Sequence, residues 1–452
     1  MWALGVTLLA VLVSFTVPPG QRHPRLNPAG PTHARRPVRP VDTPVGGVGD
    51  SRAGVGEGGR PVRTTVGIVG AGPAGLMLAR LLRLAGIDCV VLECRDRAYV
   101  ERRQRAGVLE QGTADALRAA GAGERLDREG LPHDGIELRF GRRRHRVDFP
   151  DLTGGRRVTV YAQTEVCKDL IALAGTDGPP VLFEAEVLAV EDVDTDAPRI
   201  RFRRDGREEV LECAYVAGCD GFHGVCRAAV PAAVSRVHER SYPYAWLGVL
   251  ADVPPSHDEL VYARHDRGFA LLSMRSPTVS RLYLQVPEGT KAEEWTDEEI
   301  WDELALRLET ADDWRLERGP VTQKSVTPMR SYVHEPMRYG RLFLAGDAAH
   351  IVPPTGAKGL NLAVGDVVVL ARALEHERRT GSTELLDAYS ATCLRRVWQA
   401  ERFSHDMTAL LHRDPGAGSF DDRLQLARLD RITTGRSAAA DLAEGYTGLP
   451  LG

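Results

Sequence analysis

The chain has 452 residues, with 58 basic and 62 acidic side chains and a formal net charge of −4. This length accommodates two or three domains. Residues 1–65 carry eight arginines and three acidic residues, which leaves −9 on the remainder and argues against nucleic-acid binding. The seven cysteines include no CxxC pair, so we expect reduced thiols, a cytoplasmic location, and neither a disulfide framework nor a metal site.

Residues 1–64 are predicted to be an extension outside the fold. The apolar stretch 4–17 is shorter than the roughly twenty residues of a membrane span, and it lacks the basic n-region of a signal peptide. Residues 18–64 are rich in Pro, Gly and Arg without apolar periodicity, which is typical of disorder. We favour an over-long start assignment, with an export leader or anchor as the alternative.

A glycine-rich turn follows the first strongly apolar run of the body. The run Val66–Val69 leads into the GxGxxG pattern Gly70, Gly72 and Gly75, with Ala74 inside it, and a helical pattern follows. This strand–turn–helix context lets a pyrophosphate approach a helix N-terminus. A second run, Cys89–Leu92, ends at Glu93, an acid placed to bind a ribose. The pattern predicts a dinucleotide site, and a plain tight turn is the alternative.

The rest of the body alternates between strands and helices. Residues 106–120 are predicted to be helical, 136–140 and 145–149 form a hairpin, and residues 163–174 are helical. An apolar strand then ends in Asp220-Gly221, residues 242–330 are strand-rich, and the strand Arg341–Ala345 delivers Gly346-Asp347. A helix is predicted over 359–373, and residues from about 385 onward are helical.

Three segments carry a resemblance to a known family: residues 104–112, residues 217–224, and residues 344–361 with the sequence LAGDAAHIVPPTGAKGLN. They are similar to the class A flavin-dependent aromatic hydroxylases, especially those acting on 4-hydroxybenzoate, and the similarity runs from about Val66 to Pro450. The resemblance implies a Rossmann-like FAD-binding domain (65–132, 159–241 and 331–380), an inserted mixed β-sheet substrate domain (133–158 and 242–330) and a helical C-terminal domain (381–452).

The resemblance also implies FAD contacts. They are expected from Gly70, Gly72, Ala74, Gly75, Glu93, Arg103, Arg105, Gln163, Arg281, Asp347, Lys358, Gly359, Leu360 and Asn361. Arg105 and Gln163 are assigned to the pyrophosphate, Asn361 to the flavin ring, and Arg281 to movement of the flavin between two positions. A role for Asp347 as the N-cap of the following helix is the structural alternative.

The substrate site is expected in the inserted domain. Ser273 and Arg275 are two residues apart in a predicted strand and therefore share one face. An arginine fork matches a carboxylate, although spacing alone also fits a surface arginine on an edge strand. The resemblance implies that Arg275, Ser273 and Tyr283 bind a benzoate, while Tyr262 and the Pro354 carbonyl contact its 4-hydroxyl.

The same resemblance implies a proton path and a transient nicotinamide site. Tyr446 is expected to extend the path from Tyr262 to His133, although an isolated tyrosine or histidine more often serves packing. Nicotinamide contacts are expected from Arg95, Tyr99, Arg103, Arg105, Phe222, His223 and Arg330. Cys94-Arg95 stands where NADPH-preferring members often have Arg-Gln, so the choice between NADPH and NADH stays open.

The implied reaction is hydroxylation of 4-hydroxybenzoate at C3 in aromatic degradation, using NAD(P)H and O2 through a flavin C4a-hydroperoxide. A homodimer without membrane association is expected. Alternatives are a hydroxylase for an aminobenzoate or another hydroxybenzoate, or a non-hydroxylating FAD redox sensor. The missing CxxC pair and second nucleotide fold argue against a flavin disulfide reductase.

Overall fold

The computed structural model describes residues 62–103 and 107–448. Its strands are β1 (Val62–Val69), β2 (Cys89–Leu92), β3 (Val108–Glu110), β4 (Leu131–His133), β5 (Gly135–Phe140), β6 (Arg143–Asp148), β7 (Val158–Val160), β8 (Val181–Leu182), β9 (Glu186–Glu191), β10 (Arg199–Arg204), β11 (Arg207–Gly218), β12 (Arg236–Ala251), β13 (Leu260–His265), β14 (Gly268–Ser276), β15 (Val279–Pro287), β16 (Val321–Glu335), β17 (Arg338–Tyr339), β18 (Leu342–Leu344) and β19 (His350–Ile351).

The helices are α1 (Pro73–Leu84), α2 (Arg97–Arg102), α3 (Gln111–Ala119), α4 (Glu124–Glu129), α5 (Phe149–Thr153), α6 (Gln163–Asp177), α7 (Asp297–Arg307), α8 (Gly359–Thr380), α9 (Glu384–Asp387), α10 (Tyr389–Leu411), α11 (Ser419–Thr434) and α12 (Arg436–Thr447). Short 3-10 turns occur at Cys226–Ala229, Ala292–Glu294, Gly346–Ala348 and Pro354–Gly356. Within these ranges no helix combines the length and the apolar character that crossing a membrane requires.

The first sheet has the strand order β17-β18-β11-β1-β2-β8, and β9 and β10 continue it from the first half of β11. Strands β18, β11, β1, β2 and β8 run parallel, so their carboxyl ends meet at one edge. This edge carries the glycine-rich turn, Glu93, Asp220 and the Gly346–Ala349 segment. An open parallel sheet binds its ligands at this edge.

Strand β1 corrects the predicted start of the folded body. It begins at Val62, so Val62–Thr64 belong to the fold and not to the predicted extension. Arg63 pairs with Glu212 on β11 at 2.8 Å, and the Thr64 hydroxyl donates to Asp88 at 2.9 Å. These partners lie far away in sequence, so no local apolar pattern revealed the longer strand. Residues 1–61, the rest of that extension, lie outside the described residues.

The second sheet has the order β19-β16-β12-β15-β14-β13-β5-β6, and the small sheet β3-β7-β4 lies apart from it. One face of the second sheet packs on α7 through Ile300, Trp301 and Leu304. The other face carries an aromatic cluster that includes Tyr262 and reaches Phe403 on α10 and Tyr446 on α12. The predicted α/β fold, with a dinucleotide-binding sheet, a second mixed sheet and C-terminal helices, is confirmed.

Three details differ from the sequence prediction. Residues 108–110 form strand β3 instead of starting a helix, because they pair with β7. Helix α7 interrupts the strand-rich region 242–330. The predicted domain boundaries 241/242 and 330/331 fall inside β12 and β16, long strands that run through both. The division into domains otherwise stays a prediction.

Candidate active site

The turn between β1 and α1 presents bare backbone to a ligand. Gly70 has a φ of +101°, and a Cβ there would lie 2.4 Å from the Cys219 carbonyl oxygen. The first bond inside α1 runs from Leu76 N to Gly72 O at 3.0 Å, so the N–H groups of Ala74 and Gly75 have no acceptor within the helix. Such a helix N-terminus fits the pyrophosphate of a dinucleotide.

Glu93 lies beside this turn, at the carboxyl end of β2. Its Oε2 accepts from Ala71 N at 2.8 Å, and its Oε1 accepts from Arg95 N at 2.9 Å. The carboxylate therefore fastens the glycine-rich turn to the neighbouring strand. That it also binds a ribose stays a prediction.

Two glycines of the turn allow a matched test of cofactor placement. A Cβ at Gly72 would have no heavy atom within 4 Å, whereas a Cβ at Gly75 would lie 1.9 Å from Gly70 O. We expect Gly72→Ala to weaken FAD binding about tenfold, roughly 1.4 kcal/mol, without changing the Tm of the FAD-free protein. Gly75→Ala should lower both the FAD affinity and the Tm of the FAD-free protein. Fluorescence titration and thermal unfolding measure the two effects. Unchanged FAD affinity in Gly72→Ala would contradict the placement.

The first turn of α8 offers a second set of backbone donors. Its first intrahelical bond runs from Leu362 N to Lys358 O at 2.9 Å, so the N–H groups of Gly359, Leu360 and Asn361 have no helical acceptor. Asp347 is exposed twelve residues before this helix, whose N-cap is Lys358. The structure therefore does not support Asp347 as the cap.

The side chains of Asn361 and Lys358 are engaged within the protein. The Asn361 amide accepts from Glu110 N at 2.9 Å and donates to Val108 O and Ala357 O at 3.0 and 2.9 Å. Lys358 Nζ donates to Glu110 Oε1 at 2.7 Å and to Tyr446 O at 2.8 Å, because a buried ammonium needs partners. The backbone groups of Asn361 and Lys358 at the start of α8 therefore offer the more accessible donors, and the cofactor contacts of both residues stay predictions.

A polar cavity lies at the start of α6, where Gln163 is predicted to bind the pyrophosphate. It has a volume of about 570 Å³ and is lined by Glu101, Arg102, Arg103, Thr164, Glu165, Lys168 and Gln323. Gln163, the first residue of α6, directly precedes Thr164 in its wall. The structure thus brings Arg103 and the start of α6 together. Arg105 lies outside the described residues.

The expected nicotinamide residues form two groups. Arg95 and Arg103 lie over the Tyr99 ring at 5.2 and 6.0 Å. The Phe222 and His223 rings make an edge contact with their centroids 5.0 Å apart. The Arg330 guanidinium lies 3.9 Å from the centroid of the Phe222 ring. No contact between the two groups is seen in the described residues.

Sequence reasoning missed Arg227 in the second group. Its guanidinium donates to Phe222 O at 2.6 Å and to Ala348 O at 3.0 Å, so it joins the loop after β11 to the Gly346–Ala349 segment. It also lies 4.8 Å from the Phe222 ring centroid. An isolated arginine carries no sequence signal for such a role.

Asp220 closes the loop after β11. Its Oδ2 accepts from Cys226 N at 2.8 Å, and a Cβ at Gly224 would lie 2.0 Å from its carboxyl carbon. Burial raises its pKa, and its Oδ1 has no hydrogen-bond partner among the described residues. This buried oxygen at the edge of the parallel sheet fits a hydroxyl-bearing ligand such as the ribityl chain of FAD.

Tyr262 on β13 and Tyr446 on α12 form a hydrogen-bonded pair above the second sheet. Their hydroxyl oxygens lie 2.6 Å apart, and both side chains are buried. Tyr262 also donates to Thr355 O at 3.4 Å, next to Pro354, whose own carbonyl accepts from Ala357 N at 3.0 Å. Burial raises the pKa of both tyrosines, so both are neutral hydroxyls at physiological pH.

The expected carboxylate-binding residues lie on the neighbouring strands β14 and β15. Ser273 pairs with Arg281 across the strands, and the register shifts between Met274 and Ser276, which makes Arg275 a bulge residue. Arg281 lies 5.1 Å from the Tyr283 ring centroid. Burial lowers the pKa of Arg275 to about 10, and the nearby Arg281 cation acts in the same direction. A bound anion would offset both effects.

His133 is not joined to the tyrosine pair. It is 1% exposed, and neither ring nitrogen has a hydrogen-bond partner in the described part of the chain. Burial lowers its pKa to about 4. The observed hydrogen-bonded path therefore runs from Tyr262 to Tyr446 and does not continue directly to His133, which belongs to the separate sheet β3-β7-β4.

Sequence reasoning missed a second buried histidine, His412, which packs against the aromatic cluster of the second sheet. His412 Nε2 accepts from Trp246 Nε1 at 2.6 Å, and the other ring nitrogen lies 3.1 Å from Thr408 O. Both contacts are satisfied by a neutral ring that donates to Thr408. Burial lowers its pKa from 6.5 to about 3.

This neutral histidine predicts acid sensitivity of the fold. Because the unfolded chain binds the proton at higher pH, the stabilisation is complete above pH 6.5 and is lost as the pH falls towards 3. Between pH 7 and pH 5 the wild type should lose about 2 kcal/mol more unfolding free energy than His412→Gln. Urea unfolding at both pH values measures this, and equal losses would contradict it.

Comparison with known proteins identifies the family to which the chain belongs. A family model described as an FAD binding domain matches residues 63–404. A p-hydroxybenzoate hydroxylase of Acinetobacter baylyi is 49% identical over 389 residues, covering 86% of this chain and 96% of that protein. A rifampicin monooxygenase of Streptomyces venezuelae is 30% identical over 72% of this chain and 67% of that protein.

A solved structure agrees at the level of the fold. The p-nitrophenol 4-monooxygenase of Pseudomonas putida superposes with a TM-score of 0.75 at 20% identity, over 86% of this chain and 99% of that one. The matches confirm the predicted FAD cofactor and the monooxygenase class. With the glycine-rich turn, the α8 N-terminus and the buried tyrosine pair in place, the chain belongs to the FAD-dependent aromatic hydroxylases.

Proposed function

We propose that the protein hydroxylates 4-hydroxybenzoate at C3 to give 3,4-dihydroxybenzoate, with NAD(P)H and O2 as co-substrates. The observation that carries this proposal is the buried Tyr262–Tyr446 hydroxyl pair, 2.6 Å apart, with the half-buried Arg275 cation further along β14. A phenol and a carboxylate at opposite ends of one ring match these two features. The 49% identical relative bears the corresponding name.

The spacing along the sheet suits this substrate. Tyr262 pairs with Leu271, and Arg275 stands four residues further along β14. Four strand residues span about 13 Å, a distance that a tyrosine, an arginine and one benzene ring can fill. Ser273 and Tyr283 add hydroxyl donors near the carboxylate end.

The tyrosine pair activates the ring by favouring the phenolate. As the phenol ionises, its proton passes to the Tyr262 oxygen, while Tyr262 passes its own proton to Tyr446 and Tyr446 releases one towards solvent. Both tyrosines therefore stay neutral, and the Tyr262 hydroxyl then donates to the phenolate. Hydrogen bonds to the ionised form lower the pKa of a phenol. A phenolate raises the electron density of the ring at C3, the position next to the oxygen, and this favours attack by an electrophilic oxygen.

Bound FAD supplies the redox chemistry, which takes a hydride from the nicotinamide and transfers one oxygen atom of O2 to the ring. The chain's backbone N–H groups at α1 and α8 would hold the cofactor, and Arg281 would lie near it. The two groups of nicotinamide residues are proposed to bind NAD(P)H transiently. A homodimer is also proposed, and analytical ultracentrifugation tests it.

The test is NADH and NADPH oxidation by the FAD-loaded protein with and without 4-hydroxybenzoate, with analysis of the aromatic product. We expect strong stimulation and one 3,4-dihydroxybenzoate per nicotinamide oxidised. 4-Aminobenzoate serves as the matched comparison, because it keeps the carboxylate and replaces the phenol. Preference for the amine would indicate the alternative hydroxylase, and no stimulation by either acid would overturn the proposal.

A further inference from the structure

One row of facing residues crosses the second sheet from β13 to β16. Tyr262 pairs with Leu271, Leu271 with Tyr283, Tyr283 with Gly248, and Gly248 with Ser325. Residues that pair directly across antiparallel strands lie on the same face of the sheet. Neighbouring strands are about 4.8 Å apart, so the Cα atoms of Tyr262 and Tyr283 are roughly 10 Å apart. The row therefore spans the proposed substrate site.

Gly248 occupies a position in this row where the backbone does not require glycine. It lies in the interior of β12, it is buried, and it is not among the glycines with a positive φ. A residue with a side chain adopts such a backbone without strain, and glycine in a strand interior weakens the strand. The reason for a glycine must therefore lie in the space above it.

The Tyr283 ring fills that space. A Cβ on Gly248 would lie 3.1 Å from Tyr283 Cε1 and 3.3 Å from Tyr283 Cδ1, closer than ordinary van der Waals contact. On its other side the same Cβ would lie 3.6 Å from Ser325 Oγ, which is an ordinary contact. The Tyr283 ring therefore leans from β15 across β12, and any side chain at position 248 would displace it.

The direction of that displacement follows from the neighbours of Tyr283. The Trp246 ring, from the row on one side, has its centroid 4.7 Å from the Tyr283 centroid. The Arg281 guanidinium, from the row on the other side, lies 5.1 Å from the Tyr283 centroid. Movement along the strand is therefore blocked, and a Cβ on Gly248 would push the ring towards β14. Ser273 lies there, opposite Arg281, at the carboxylate end of the proposed site.

We propose that Gly248 is a positioning residue that determines substrate specificity. By lacking a side chain it keeps the Tyr283 ring against β12, and this leaves space between Tyr283 and Ser273 for an acid group at the 4-position of a phenol. Gly248 acts only through Tyr283, and its role rests on the 4-hydroxybenzoate site proposed above.

The first test compares two ligands of the FAD-loaded protein by equilibrium titration. 4-Hydroxybenzoate carries the acid group and phenol does not, and phenol is measured by competition. Gly248→Ala should weaken binding of 4-hydroxybenzoate about tenfold, the usual scale for one methyl group in a tight pocket, and change phenol binding less than about twofold. The KM for 4-hydroxybenzoate should rise with a nearly unchanged kcat, because the tyrosine pair is untouched. Equal weakening of both ligands, or no change in either, would overturn the proposal.

A double-mutant cycle asks whether the effect passes through the Tyr283 ring. In a Tyr283→Leu background the ring is absent, so Gly248→Ala should weaken 4-hydroxybenzoate binding by less than about twofold. A further tenfold loss in that background would contradict the proposal. Ser325→Ala is the matched control, because it frees only the flank of Gly248 that faces away from Tyr283. Gly248→Ala with Ser325→Ala should show the same tenfold loss as Gly248→Ala, and this double variant replaces the single one should the latter not fold.

The wild type separates failure of this inference from failure of the proposed function. If it neither binds nor hydroxylates 4-hydroxybenzoate, the proposed function fails and the role of Gly248 fails with it. If it binds and hydroxylates the acid while Gly248→Ala keeps the wild-type preference for 4-hydroxybenzoate over phenol, only the role of Gly248 is overturned.

Discussion

Tyr262→Phe is expected to lower kcat for hydroxylation of 4-hydroxybenzoate by about 10²–10³-fold, within the range of general acid–base catalysis. The variant keeps the ring, which packs near Phe269, and removes the hydroxyl that meets Tyr446 at 2.6 Å. The substrate then loses both a donor to its phenolate and the entry to the proton path. The KM for the substrate should change much less than kcat.

A spectroscopic readout separates this role from packing. The absorbance of bound 4-hydroxybenzoate reports its phenol pKa, which should rise in Tyr262→Phe and shift the pH–rate profile in the same direction. Tyr446→Phe should slow ionisation while leaving the donor to the phenolate in place. Tyr244→Phe is the matched control, a buried tyrosine on the same sheet that stacks with His412. An unchanged phenol pKa in Tyr262→Phe would contradict the mechanism.

The parts of the site that sequence could predict depend on local backbone geometry. The turn at Gly70, Gly72 and Gly75 follows from strand–turn–helix spacing: Gly70 adopts a positive φ, a Cβ at Gly75 would collide with Gly70 O, and Gly72 leaves open space beside the turn. The Asp-Gly loop after β11 is similar: Asp220 needs Gly224 because a side chain there would collide with its carboxyl. The alternation in β14 predicted one face for Ser273 and Arg275, but the bulge at Arg275 interrupts that alternation.

Contacts between residues far apart in sequence were accessible only through family resemblance, or not at all. Tyr262 and Tyr446 are separated by 184 positions, and Lys358 and Glu110 by 248. Asn361 was expected at the flavin because of its motif, yet its amide joins α8 to β3. Glu401 and His412 lie on an amphipathic region around α10, where helical periodicity cannot distinguish a buried acid or imidazole from a solvated one.

The other large effect is expected at the carboxylate end of the substrate. Arg275→Gln should raise the KM for 4-hydroxybenzoate about 100-fold, since it removes a bidentate, charge-assisted contact worth roughly 3 kcal/mol. Burial and the neighbouring Arg281 lower the pKa of Arg275 to about 10. Both effects disfavour the cation, so a bound carboxylate would stabilise it. Ser273 and Tyr283 alone cannot supply the missing charge.

Substrate analogues make this prediction specific. The wild type should discriminate strongly against 4-hydroxybenzamide, which has the same shape without the charge, and Arg275→Gln should lose most of that discrimination. Arg275→Lys should recover only part of it, because an ammonium is a point charge without the planar fork. The phenol pKa of the bound substrate should stay close to the wild-type value, because the tyrosine pair is untouched. If Arg275→Gln retained the preference for the acid, the carboxylate would have to bind elsewhere, and the orientation of the ring relative to Tyr262 would change with it.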